Sequence, residues 1–181
     1  MNKALIAAVI AFGSVSMAHA ADPAKPDEGH GKISFKGSII DAPCSIAPGS
    51  DIQEIDLGQI SKVALDSTEG RSTPKGFTIQ LEKCSFDAAG MNKKVKVTFS
   101  GARAEGDDTL LGLTGTTKGA GLALTDGSGT VIKFDTPTKE QTLQKGDNSL
   151  NFTAYLQSTG ASGGVTPGDF KAVTEFTLEY L

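Results

Sequence analysis

Beyond the N-terminal segment, the sulfur and imidazole chemistry of this chain rests on Cys44, Cys84 and His30. A Cys–His or Ser–His pair would have to use His30, which lies in the polar stretch ADPAKPDEGHG, where no packed element can hold it beside a nucleophile. One histidine without clustered carboxylates makes a poor metal set. The acidic run Glu105–Asp108 (EGDD) is the exception: it has calcium-type ligands, although it reads first as a solvated loop. GLTGTTKGAG, residues 112–121, has the glycines of a phosphate loop. It lacks the G-x-x-x-x-G-K-[ST] order and leads into no helical pattern. Asn151–Thr153 (NFT) has the form of a glycosylation sequon but falls in a predicted strand. Two acids brought together by a β-fold could hydrolyse a glycoside, but no pair stands out. Neither a catalytic constellation nor a metal or cofactor motif emerges.

The elements that would position such residues begin after a targeting segment. Lys3, the apolar run ALIAAVIAFG and the small-residue step AHA at Ala18–Ala20 make residues 1–20 a signal peptide. No later run reaches the ~20 apolar residues of a membrane helix, so membrane insertion is not expected. The remaining residues suffice for one domain with a sizeable core. A formal net charge of −4, with scattered basic residues, argues against nucleic acid as a partner.

Export to an oxidising compartment changes the reading of the cysteines. A lone pair there is most simply one structural disulfide, Cys44–Cys84. A metal site would need more ligands, and a redox pair would more naturally be C-x-x-C. Closing a loop of this length stabilises a fold by roughly 4 kcal/mol on the chain-entropy model.

Apolar residues recur at period 2, the signature of strands with one buried face. KISFKGSII (32–40) is expected as the first strand of the body and DIQEIDLGQI (51–60) as the second. GFTIQLEKC (76–84) sets Phe77, Ile79 and Leu81 on one face, and Cys84 breaks the parity, so a bulge or strand end is expected there. That order has the cysteines linking the first strand region to the third. KKVKVTFSG (93–101) sets Val95, Val97 and Phe99 on one face, with lysines opposite. Residues 101–121 read as loop with one short strand at TLLGL. GLALTDGSGTVIKF (121–134) reads as a hairpin turning at Asp126–Gly129, and NSLNFTAYLQ (148–157) as a further strand. The fold class is therefore all-β, a sandwich. No tryptophan is present, so the antibody-type core is excluded.

The two ends of the mature chain carry most of the functional information. Residues 21–32 form a polar, glycine- and proline-containing leader, and the body spans 33–181. FTLEYL, residues 176–181, is an alternating strand running to the last residue, with no chain left to make its neighbour. A sandwich that stops one strand short exposes an apolar groove, an aggregation hazard unless another chain fills it.

GHGKISFKGSIIDAPCSI, IDLGQIS, IQLEKCSF and the ending FTLEYL with Tyr180 and Gly168 together resemble the pilin subunits of chaperone–usher fimbriae, especially major rod subunits of the P, type 1 and MR/P classes. The resemblance implies an incomplete immunoglobulin-like β-sandwich lacking its last strand. It implies a periplasmic chaperone that lends a strand and anchors the Leu181 carboxylate, an outer-membrane usher, and polymerisation head-to-tail with other copies and with minor and tip fimbrial subunits. The leader of the next subunit would replace the chaperone strand, with Gly29, Gly31, Ile33 and Phe35 as donor-strand residues. Gly168, Phe176, Leu178, Tyr180 and Leu181 would form the acceptor groove and chaperone-binding strand. The competing reading is a self-complete secreted β-sandwich that binds a carbohydrate or protein ligand, which predicts a stable monomer.

Overall fold

The computed structural model describes residues 29–66, 70–86, 93–104, 107, 109–160 and 162–181. The signal peptide, leader residues 21–28 and most of the EGDD run lie outside the described residues. The chain divides into two compact units, Met1–Ser38 and Ile39–Leu181. In the first, residues 29–38 carry no helix or strand, and every one is exposed.

The described residues of the second unit form ten strands and one short helix. The strands are β1 (Ser45–Ile46), β2 (Lys75–Cys84), β3 (Lys94–Ser100), β4 (Leu110–Leu111), β5 (Thr114–Gly115), β6 (Ala120–Asp126), β7 (Gln141–Thr142), β8 (Gly146–Ser158), β9 (Phe170–Lys171) and β10 (Glu175–Tyr180). The helix, α1, spans Lys62–Leu65. A five-stranded sheet has the order β1-β2-β8-β6-β4, a three-stranded sheet β10-β3-β7, and β5 pairs with β9. Every strand pairing is antiparallel.

Alternation on β2, β3 and β8 creates the core. Ile79 and Leu81, Val95, Val97 and Phe99, and Leu150 and Phe152 are all buried in one cluster. Aromatic rings join the two main sheets: Phe99 of β3 meets Phe152 of β8 edge-on, with centroids 5.0 Å apart. Strand β6 departs from alternation because both its faces are covered. Leu122 and Leu124 enter the main core, while Ala123 packs with Leu110 and Tyr155 in a second cluster on the opposite face.

Cys44 and Cys84 form the disulfide. The register slips between Leu81 and Cys84, where Lys83 adopts φ 54°, so the expected irregularity is present. Since Ser45 pairs with Glu82, the disulfide staples neighbouring strands of one sheet, the first and second strands of the fold, not the first and third.

Two expected strands are absent. Residues 32–40 join no ladder, and Ile33, Phe35, Ile39 and Ile40 are exposed. Alternation prepares a segment for a sheet edge, but a strand also needs a partner for its N–H and C=O groups. Residues 51–60 likewise form no ladder. The Gln53 side chain instead donates to the Thr78 carbonyl at 3.0 Å, and Leu57 and Ile60 rest half-buried against the core. The hairpin turn at Asp126 forms as expected. Its second arm is reduced to a bridge between Thr125 and Val131, because β4 takes the same side of β6 at Leu122 and Ala123, β8 lying on the other.

Candidate functional site

The search for chemistry ends quickly in the folded unit. Both cysteines are in the disulfide, and no group of three or more metal-type ligands occurs among the described residues. Asp107, the described acid of the EGDD run, accepts hydrogen bonds from the Thr109 hydroxyl (2.6 Å) and amide (2.8 Å). Those bonds hold its carboxyl below the usual range, as expected of a loop brace. A depression of about 470 Å³ between Arg71, Asp126, Asn151 and Tyr155 contains neither cysteine nor histidine.

The distinctive feature is the edge of the three-stranded sheet. β10 pairs with β3 along its whole length, Phe176 opposite Phe99, Leu178 opposite Val97 and Tyr180 opposite Val95. Among the described residues, no strand lies on its other side. Burial records the difference. Val95, Val97 and Phe99 are fully buried, whereas Phe176, Leu178 and Tyr180, on the same inner face, are half-buried although packed against the core. The outward residues Glu175, Thr177 and Glu179 are exposed.

The hydrogen-bond phase of the ladder shows which backbone groups face the open side. Lys94 and Leu181 exchange both bonds, amide to carbonyl, at 2.9 and 3.2 Å. In an antiparallel ladder such pairs alternate with pairs that do not bond each other. With a continuous register, Glu179, Thr177 and Glu175 therefore bond to β3, and the amides and carbonyls of Phe176, Leu178 and Tyr180 point to the open edge. The far side of β3 has the complementary phase: Val97 bonds Thr138 through both its amide and its carbonyl, and the Phe99 carbonyl accepts from Asp135. The same three residues thus offer half-buried side chains and unpaired backbone groups.

The Tyr180 hydroxyl is buried and finds no hydrogen-bond partner among the described residues, and desolvation pushes its pKa up. Beside it, Leu181 is tied to β3 through its backbone, while Lys94 and Lys96 are drawn sideways to Glu140, at 2.8 and 3.7 Å. The hydrogen bond from Lys94, then its charge, lowers the Glu140 pKa.

Among the residues singled out in the sequence, the structure brings Phe176, Leu178, Tyr180 and Leu181 together on β10 and its end. Gly168 has different neighbours. It lies against the Thr116–Thr117 backbone, and Thr117 donates its hydroxyl to the Gly168 carbonyl at 2.7 Å. A Cβ there would collide with the Thr116 hydroxyl and come within 2.9 Å of the Thr117 amide, so this position needs glycine for close approach. Gly29, Gly31, Ile33 and Phe35 belong to the first unit and are exposed. Sequence reasoning passed over the half-buried Leu57, Ile60, Phe170 and Ala172. The strand patterning of 51–60 was the available signal for the first two.

Residues 33–181 match the family described as fimbrial protein. The chain is 49% identical to the Fimbria A protein of Serratia marcescens over 180 residues, covering 99% of this chain and 98% of that protein. It is 44% identical to the Major MR/P fimbria protein of Proteus mirabilis, covering 99% and 98%. Among solved structures, the P pilus rod subunit PapA superposes with a TM-score of 0.69 at 36% identity, covering 77% of this chain and 100% of that one. A chaperone–usher pilus structure concerned with rod uncoiling gives 0.76 at 35% identity, covering 85% and 97%.

Proposed function

The chain belongs to the fimbrial protein family, and from that premise we propose how it assembles. It is a structural subunit of a bacterial surface fimbria of the chaperone–usher type, related to major rod subunits, with the immunoglobulin-like all-β fold of those pilins. Fimbrial subunits of this family polymerise with one another, and the family is structural, not enzymatic.

The proposed cycle begins with removal of residues 1–20 and passage through the periplasm. There a chaperone strand occupies the open edge of β10 and its base holds the Leu181 carboxylate. At an outer-membrane usher, the leader of the next subunit displaces that strand. Residues 21–32 form the extension, and Gly29, Gly31, Ile33 and Phe35 face the groove, with Phe35 at the junction with the body spanning 33–181. Phe176, Leu178 and Tyr180 line the acceptor wall. Gly168 belongs to this acceptor region by holding the approach to β9 and β10 close to Thr116–Thr117. Minor and tip subunits join through the same exchange.

One observation carries this reading: Phe176, Leu178 and Tyr180 are half-buried and direct their backbone groups to an edge that no strand of the described residues covers. Completing that edge with two large apolar side chains contributes about 1.5–3 kcal/mol per fully buried residue. Each new ladder bond adds roughly 0.5–1.5 kcal/mol.

The test is to produce the mature chain lacking residues 21–32 in a periplasm without chaperone and to melt it with and without a peptide covering residues 21–37. The reading predicts an unstable chain that the peptide converts to a high-melting complex. A stable monomer indifferent to the peptide would overturn it.

A further inference from the structure

We propose that Lys32, Ser34 and Lys36 of one copy's leader pair with Glu179, Thr177 and Glu175 on β10 of the next, and that this charged row sets the register of the junction. The inference rests on the donor-strand reading above and goes on to specify how the strand is aligned.

The parity of the leader leads to it. If Gly31, Ile33 and Phe35 face the groove, period 2 sends Lys32, Ser34 and Lys36 to the outer face. On β10 the outer row is Glu175, Thr177 and Glu179, all exposed. Both rows have the order charge, hydroxyl, charge at the same spacing, with opposite signs. A slip of two residues sets the lysines opposite Thr177 or beyond the acidic row and leaves no Lys–Glu pair, where the aligned register has two. Slipping by one residue would turn Ile33 and Phe35 to solvent.

The acidic row is available for such a partner. Glu175 and Glu179 take part in no ion pair among the described residues, and Lys96, opposite Glu179 on β3, is drawn to Glu140 instead. Lys32, Ser34 and Lys36 are exposed. Because Phe176, Leu178 and Tyr180 supply the edge bonds, the Lys–Glu positions are the non-hydrogen-bonded pairs of an antiparallel ladder, in which side chains approach most closely. A strand with an acidic outer row would be repelled at the same edge, so the row also selects against wrong segments.

The strand direction follows the pairing seen in the folded unit. An antiparallel strand in this register puts Ile33 opposite Leu178, Phe35 opposite Phe176 and Gly31, which has no side chain, opposite the large Tyr180. A parallel strand would satisfy the same charges and set Gly37 opposite Tyr180, so the inner face accepts either direction. Antiparallel pairing is the rule throughout the folded unit, and it selects the antiparallel register.

The test titrates a labelled peptide of residues 29–40 onto the full-length mature chain, alongside the same peptide with Lys32→Glu and Lys36→Glu. The reversed peptide should bind roughly tenfold or more weakly, since two attractive cross-strand pairs become repulsive. It should recover on a chain carrying Glu175→Lys and Glu179→Lys, which in turn should lose the unmodified peptide. Recovery in the swapped pair excludes misfolding of the variant chain as the cause. Equal binding of both peptides to both chains would overturn the charge register and leave the donor strand intact. Failure of the unmodified peptide to bind the unmodified chain would overturn the donor-strand reading and this inference with it.

Discussion

Leu178 stands directly opposite Val97 on the inner face of one sheet, yet Val97 is 0% exposed and Leu178 is half-buried. Neighbours at the same level of a ladder usually share a burial class. Here they differ because β3 lies between two strands and β10 lies beside one. Val97→Ala should therefore destabilise the isolated subunit by about 2–3 kcal/mol, through lost burial and a cavity. Leu178→Ala should cost the isolated subunit much less and show its full effect in the fibre, as a lower dissociation temperature. Denaturant melts of the subunit and heat dissociation of fibres measure the two separately.

Tyr180→Phe removes a buried hydroxyl that has no partner among the described residues. The isolated chain should gain about 1 kcal/mol, because an unsatisfied polar group no longer has to be desolvated. A loss of stability in the melt would mean that the hydroxyl is already bonded in the free subunit. The raised pKa has a linked consequence. Whatever stability depends on the neutral phenol is present below about pH 10, the ordinary tyrosine value, and is lost as pH rises through the folded value. Tyr180→Phe should flatten the alkaline limb of the stability profile.

Gly168→Ala drives a methyl group into the Thr116–Thr117 backbone. Overpacking of this kind costs roughly 1–3 kcal/mol. The variant should melt lower even as a leader-deleted chain, since the clash lies within the folded unit. An unchanged melting curve would show that the loop can move aside at no cost.

Asp126 organises the turn after β6. Its carboxylate accepts from the Ser128 hydroxyl (2.7 Å) and from the amides of Thr130 (2.8 Å) and Ser128 (2.9 Å). Desolvation opposes ionisation there, and the hydrogen bonds outweigh it, so the folded pKa lies below the ordinary value. A depressed carboxyl contributes stability above the unfolded pKa, about 3.9, and loses it as pH falls through the folded value. Asp126→Asn should therefore lower stability at pH 7 by less than about 1 kcal/mol, the group being largely solvated. The difference from the unmodified chain should vanish in melts near pH 2.

How much could be read beforehand depended on what each segment packs against. GFTIQLEKC, KKVKVTFSG, NSLNFTAYLQ and FTLEYL alternate between a core face and an outer face, and each became a strand, β2, β3, β8 and β10. The parity break at Cys84 marked the bulge correctly. β6 was legible only through its turn, since Leu122, Ala123 and Leu124 are buried on both faces and do not alternate. The segments 32–40 and 51–60 alternate equally well but pair with nothing in this chain. Periodicity reports a two-faced environment and leaves open who supplies the neighbouring strand. For 32–40 the donor-strand account places that neighbour in another copy, so a strand pattern without a strand is the expected state of a free subunit. β10 was legible as a strand in the alternation of FTLEYL. The phase of its backbone groups required the Lys94–Leu181 pair, which no sequence pattern displays.

The most direct measurement is residue-resolved amide hydrogen exchange on β10, in the monomeric chain without residues 21–38 and in the assembled fibre. The account predicts that the amides of Thr177 and Glu179, bonded to β3, are protected in both states. Those of Phe176, Leu178 and Tyr180 should exchange freely in the monomer and become protected in the fibre. Protection of these three amides in the monomer, or their continued rapid exchange in the fibre, would contradict the claim that this edge receives the strand of a neighbouring subunit.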